Sequence, residues 1–210
     1  MAHARLTFLL ACAVLSRCGG VDAPPASAPA PPKSPSATGF PDDLAPLSRY
    51  DSKRLAVTLA LPDGKAWRID DHSQPELVAT HAPTLSKVVV AVFHADEIVG
   101  RTQCEALSRA RHIVPPGDLR TLEDRAAFTQ QAFDTRVWVA VEASGGPEGA
   151  LVGYVMAFGG LLRKCFAFVF STQVHGASEE PVLASRLAFA RARILGALSL
   201  DDVLQPRPKR

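Results

Sequence analysis

Asp70-Asp71-His72 and His94-Ala95-Asp96-Glu97 each set an imidazole among carboxylates, the groups from which metal centres and general acid–base pairs are built. Asp71, His72, Asp96 and Glu97 therefore mark the place where a small-molecule or metal cleft would be expected, if the fold brings them together. An ordinary reading competes with it. All four stand beside strand ends and turns, where such residues are commonly solvated, and His81, His112 and His175 are scattered elsewhere. Ser144, before Gly145-Gly146-Pro147, lacks the Gly-x-Ser-x-Gly setting of an activated serine, and no phosphate-binding or dinucleotide loop is present. The expectation is a protein without catalytic residues, metal ligands or cofactor, hence not an enzyme.

The chain contains 4 cysteines, Cys12, Cys18, Cys104 and Cys165, and its N-terminus governs how they are read. Arg5, the apolar run Leu6 to Leu15 and the polar residues after it follow the order of a secretory signal. The run is too short to span a bilayer, which takes about 20 residues. The segment resembles a bacterial lipoprotein signal, with Leu15-Ser16-Arg17-Cys18 as its lipobox, although Arg17 stands where a small residue is usual. Leu9-Leu10-Ala11-Cys12 is the alternative. The expectation is a signal over residues 1–17, a lipid (palmitate-type acyl) anchor on Cys18 and residence in a bacterial cell envelope. Gly19 after the cysteine is compatible with the outer membrane, facing periplasm or surface. The membrane, through that lipid, and an unidentified envelope protein are the expected partners.

Residues 18–39 form the second region. They are almost wholly Ala, Pro, Ser and Gly, with Pro24, Pro25, Pro29, Pro31, Pro32 and Pro35 placed so that neither helix nor ladder is expected. An extended tether results, rising about 3.1 Å per residue in polyproline geometry. The formal net charge of +2 loses Arg5 and Arg17 with the signal, which leaves no excess of either sign. No basic stripe with interleaved aromatics remains, so nucleic acid is not an expected partner. Residues 205–210 are a short basic tail.

Residues 40–204 are long enough for one domain with a core. Leu55, Val57, Leu59 and Leu61 alternate with smaller residues, Pro62-Asp63-Gly64 supplies a turn, and Trp67 and Ile69 alternate again, so a hairpin is expected. Strands follow at residues 76–81 and 87–94, the second apolar on both faces. Thr102 is expected to cap a helix reaching His112, with Cys104 and Leu107 on its inner face, ended by Pro115-Pro116-Gly117. Leu119 to Phe133 is weakly periodic and reads as a loop with a short helix. Three closely spaced strands, at residues 136–143, 151–158 and 164–174, imply an antiparallel meander. Ser178-Glu179-Glu180-Pro181 opens a last helix whose stripe is Leu183, Leu187, Ala190, Ile194 and Leu198, with Arg186, Arg191 and Arg193 largely off it.

That order specifies an α+β fold, an antiparallel β-sheet flanked by helices. Leu61-Pro62-Asp63-Gly64 with Trp67, a central helix, Gly153-Tyr154 and a Cys-Phe-Ala-Phe-Val-Phe strand before the last helix resemble the Mog/PsbP-like family, an α/β/α sandwich. That family includes an extrinsic subunit of photosystem II, a nuclear Ran-binding protein and bacterial lipoproteins. The resemblance covers roughly Tyr50 to Leu200, and its motifs are structural, so no binding residue is carried over. With Cys18 used for lipid, Cys104 and Cys165 remain. An even pair in an oxidising compartment is expected to be a disulfide, two separately buried thiols being the alternative. The whole reads as an anchored, non-catalytic interaction or accessory module.

Overall fold

The computed structural model describes Phe40 and residues 46–125, 133–143 and 149–200; the expected signal (residues 1–17) with Cys12, the expected tether (18–39) with Cys18, and the expected tail (205–210) lie outside the described residues. The described chain runs β1 (Ser48–Ser52), β2 (Val57–Leu61), β3 (Trp67–Asp70), β4 (Leu77–His81), β5 (Ser86–His94) and α1 (Arg101–Ala110). It continues with β6 (Arg120–Arg125), β7 (Asp134–Ala143), β8 (Leu151–Leu161), β9 (Lys164–Val174) and α2 (Glu180–Phe189), which passes into a π-helical stretch over Ala190–Leu195. Strands β3 to β9 form one 7-stranded sheet in the order β3-β4-β5-β9-β8-β7-β6, antiparallel at each pairing, while β1 and β2 make a separate pair.

Period-two alternation divides the sheet into two different faces. Phe166, Phe168 and Phe170 of β9 point to one side and are fully buried with Val155, Ala157, Val88 and Val90. Leu183 and Leu187 of α2 cover that side. Gly153 of β8 lets them approach, since a Cβ there would lie 2.8–3.0 Å from their methyl carbons. The β1–β2 pair joins the same core through Leu55, Val57, Leu59 and Leu61, and Thr58 bridges to Ser199 after α2. Phe40 packs there too, its ring 5.2 Å from Phe189 and 6.4 Å from Trp67. Cys165, Ala167 and Val169 face the opposite side, which α1 crosses over β7, β8 and β9.

Four expectations need correction. The strand ending at Leu61 does not pair with the one starting at Trp67: Pro62-Asp63-Gly64 turns the chain from one sheet into the other, and β1 is the partner of β2. Trp67 instead fastens that corner, its indole N–H donating to the Pro62 carbonyl at 2.7 Å. Arg120–Arg125, expected within a loop with a short helix, is the edge strand β6. Its exposed position lets polar residues fill both faces, which erases the alternation. Thr102 is not the cap of α1: the helix begins at Arg101, and the Gly100 N–H is satisfied by Gln103 Oε1 at 3.1 Å.

The fourth is Arg186, which is 2 % exposed rather than off the buried stripe. Its guanidinium donates to the Thr84 carbonyl, the Gln173 carbonyl and Thr172 Oγ1 at 3.0, 3.1 and 3.3 Å, joining α2 to β9 and to the turn before β5. Beside it, His81 Nδ1 lies 2.7 Å from Thr84 Oγ1, and Thr84, Ser86 and Thr172 continue the hydrogen-bonded chain. Burial pushes the Arg186 guanidinium below its ordinary value, and burial likewise lowers the His81 imidazole. The polar groups on this side are turned inward, onto protein.

Candidate functional site

α1 is tied to the sheet by two adjacent residues, Cys104 and Glu105. Cys104 and Cys165 form a disulfide with their Cα atoms 5.4 Å apart, packed against Val99. One residue on, Glu105 is 8 % exposed, and its carboxylate is shared by three donors. Arg109 Nε and Nη2 reach Oε1 at 3.2 and 2.9 Å, the Trp138 indole N–H reaches Oε2 at 3.2 Å, and Arg136 lies 3.5 Å from Oε2. Arg136 also stacks on the Trp138 ring, 4.0 Å from its centroid, and pairs with Asp124 at 2.6 Å across the β6–β7 edge. That Arg136 contact holds the Asp124 carboxyl below the usual carboxylate range. The helix is thereby fixed to the sheet by a charged, well-satisfied cluster.

A cavity of about 270 Å³ opens beside this cluster, where Arg109, Asp118, Thr121, Trp138 and Met156 form part of the lining. The loop that carries Asp118 is set by Gly117. Its φ is 141°, and a Cβ there would lie 2.6 Å from Glu142 Oε1. That φ favours glycine, while the Glu142 carboxylate, at the end of a flexible side chain, could shift. Glu142 in turn accepts from the Tyr154 hydroxyl at 3.1 Å, and burial together with this bond pushes the Tyr154 phenol up to about 12.

A second feature lies at the β8–β9 turn. Leu162 adopts φ 53° and is 67 % exposed, and Ile98 is 76 % exposed. Backbone bonds hold the two segments together: the Val99 N–H donates to the Leu162 carbonyl at 2.7 Å and the Ala95 N–H to the Arg163 carbonyl at 2.9 Å. Arg163 also donates to the Asp96 carbonyl. A groove of about 610 Å³ runs along this turn, with His94, Ala95, Leu161, Leu162 and Lys164 in its wall.

Asp71, His72, Asp96 and Glu97 are not assembled into one site. Asp71 is buried and paired with Arg54 at 3.1 Å, and it accepts from the Tyr50 hydroxyl. Its neighbour His72 is exposed in the β3–β4 connection, where its N–H and that of Ser73 donate to Asp70 Oδ1. Those donors, with the Ser73 hydroxyl foremost, lower the Asp70 carboxyl to about 2. Asp96 and Glu97 are exposed beyond β5. Among the described residues no group of three His, Cys, Asp or Glu side chains is placed to hold a metal ion. The residues that do converge come from α1, the following loop and strands β6 to β8. The spacing of Glu105 and Arg109, four residues apart on one helix face, was the available local signal.

No protein-family model and no curated protein sequence matches this chain. Among solved structures, the Saccharomyces cerevisiae Ran-binding protein Mog1p aligns over 75 % of this chain and 96 % of its own, with a TM-score of 0.53 at 9 % identity. The chain has the Mog1-like fold. Cyanobacterial PsbP from Synechocystis sp. PCC 6803 aligns over 74 % of this chain and 92 % of its own, with a TM-score of 0.46 and 11 % identity. LpqN, described as involved in cell envelope biogenesis of Mycobacterium tuberculosis, aligns over 73 % and 89 %, with a TM-score of 0.44 and 12 % identity. The Mog1-like architecture accounts for the layer order: one antiparallel sheet, α1 on one face and α2 on the other.

Proposed function

We propose that this chain is an exported accessory module, anchored through Cys18 and extended on its proline-rich tether, that binds an envelope protein through the end of the sheet bearing Ile98 and Leu162. The observation that carries this reading is the exposure of those two large apolar side chains on a backbone-bonded platform. A leucine at φ 53° in water has neither conformational nor solvation reason to be there, and glycine or asparagine would serve the turn better. The groove along the same turn, walled in part by Leu161 and Leu162, gives the surface room to seat a partner side chain. The Cys104–Cys165 disulfide supports an oxidising compartment and makes the platform rigid. The module is non-catalytic: it positions or stabilises its partner.

A photo-reactive residue placed at Leu162 in intact cells tests this. It should capture one protein in good yield, whereas the same residue at exposed Thr80 on β4 should not. Equal capture from both positions would reject the proposed surface.

A further inference from the structure

We propose that the cavity beside α1 is a binding site for a small zwitterion of the α-amino-acid type. Its carboxylate would be held by Arg109 and its ammonium by Asp118, with the half-buried Trp138 indole beside them. This site is separate from the Ile98/Leu162 surface and independent of any anchored partner.

The lining carries both halves of the recognition. Arg109 spends its Nε and one Nη on Glu105 Oε1, which fixes the guanidinium plane and leaves its other amino group with donor capacity. The side chains of Asp118 and Thr121 make no hydrogen bond among the described residues and border the same cavity. A cation oriented by Glu105 and an exposed carboxylate on the border of one largely polar cavity match a molecule bearing two opposite charges. A simple anion would meet Asp118, and a simple cation would meet Arg109, so each is penalised where the zwitterion is matched at both ends. At about 270 Å³ and open to solvent, the space has room for a small molecule.

The parts are also pre-positioned. Glu105 is held by three donors, and through it the orientations of Arg109 and Trp138 are set before any ligand arrives. Gly117, at φ 141°, sets the turn that carries Asp118 on the cavity rim.

The chain contains 2 tryptophans, on opposite faces of the sheet, and this gives the experiment an internal control. Isotope-labelled full chain is titrated with leucine, N-acetyl-leucine and leucinamide while both indole N–H resonances are followed. Leucine should shift the Trp138 resonance saturably and leave that of Trp67 in place. N-acetyl-leucine, without the ammonium, and leucinamide, without the carboxylate, should each bind at least about tenfold more weakly. Asp118→Asn, on an exposed loop, should cost a similar factor with no change in melting temperature, and Arg109→Gln should do at least as much. Absence of a saturable Trp138 shift, equal binding of either blocked compound, or unchanged affinity in Asp118→Asn would overturn the proposal.

Discussion

The two faces of the main sheet are built from the same strands and are used differently. On the α2 side, Phe166, Phe168, Phe170, Leu183 and Leu187 are almost completely buried, and the polar groups His81, Thr84, Thr172 and Arg186 bond to one another or to backbone. On the α1 side the apolar layer is thinner, and a disulfide and the Glu105 cluster hold the helix in place of a wide hydrophobic stripe. That side leaves a cavity with Arg109 and Asp118 at its edge. Where burial does the holding, the polar groups are largely spent on protein, although His81 Nε2 is left without a hydrogen-bond partner among the described residues. Where a covalent link and a charge cluster do it, side chains stay available.

The contrast is most strongly broken by emptying the α2 face. Phe168→Ala removes a fully buried ring and should lower stability by about 3–5 kcal/mol in denaturant unfolding. Reducing the disulfide, which spans 61 residues, should cost about 4 kcal/mol if chain entropy governs, read as a lower melting temperature. Reduction should also loosen α1, seen as faster amide exchange in α1 than in α2; equal loosening of both helices would erase the distinction between the faces.

His81 supplies a smaller, pH-dependent effect. Burial lowers its imidazole below the ordinary 6.5, opposed by Asp63 and reinforced by Arg186. Below pH 6.5 the unfolded chain therefore binds a proton that the folded chain resists, so stability is fully present above that value and declines as pH falls through it. The slope is at most about 1.4 kcal/mol per pH unit from this group. Unfolding of His81→Phe between pH 7 and 5, roughly the window in which histidine titrates, should show a shallower decline than wild type.

The sequence was most readable where alternation or arithmetic carried the signal. Val137, Val139 and Val141, and the three phenylalanines of β9, alternate because each of those strands packs a core, and with Cys12 and Cys18 assigned to the expected signal region only one pair was left. Elsewhere physics hid the structure. Ser48–Ser52 and Arg120–Arg125 are strands with largely solvated side chains, so they carry little apolar period. Arg186 looks like a surface residue because its charge obscures a buried position that backbone carbonyls satisfy. The cavity near Trp138 draws on residues far apart in the chain, and no short motif announces it. Ile98 and Leu162 are 64 positions apart and become neighbours only through the bonding of the segment after β5 to the β8–β9 turn.

Recognition, with little contribution to folding, is the role proposed for the Ile98/Leu162 end. Replacing both residues by glutamate and measuring partner retention from solubilised envelopes beside the melting temperature tests it directly. The melting temperature should stay unchanged, because both side chains are mostly in water already, while the partner captured by the unmodified chain is lost. Retention of that partner by the doubly substituted chain, or a large drop in melting temperature, would contradict that role.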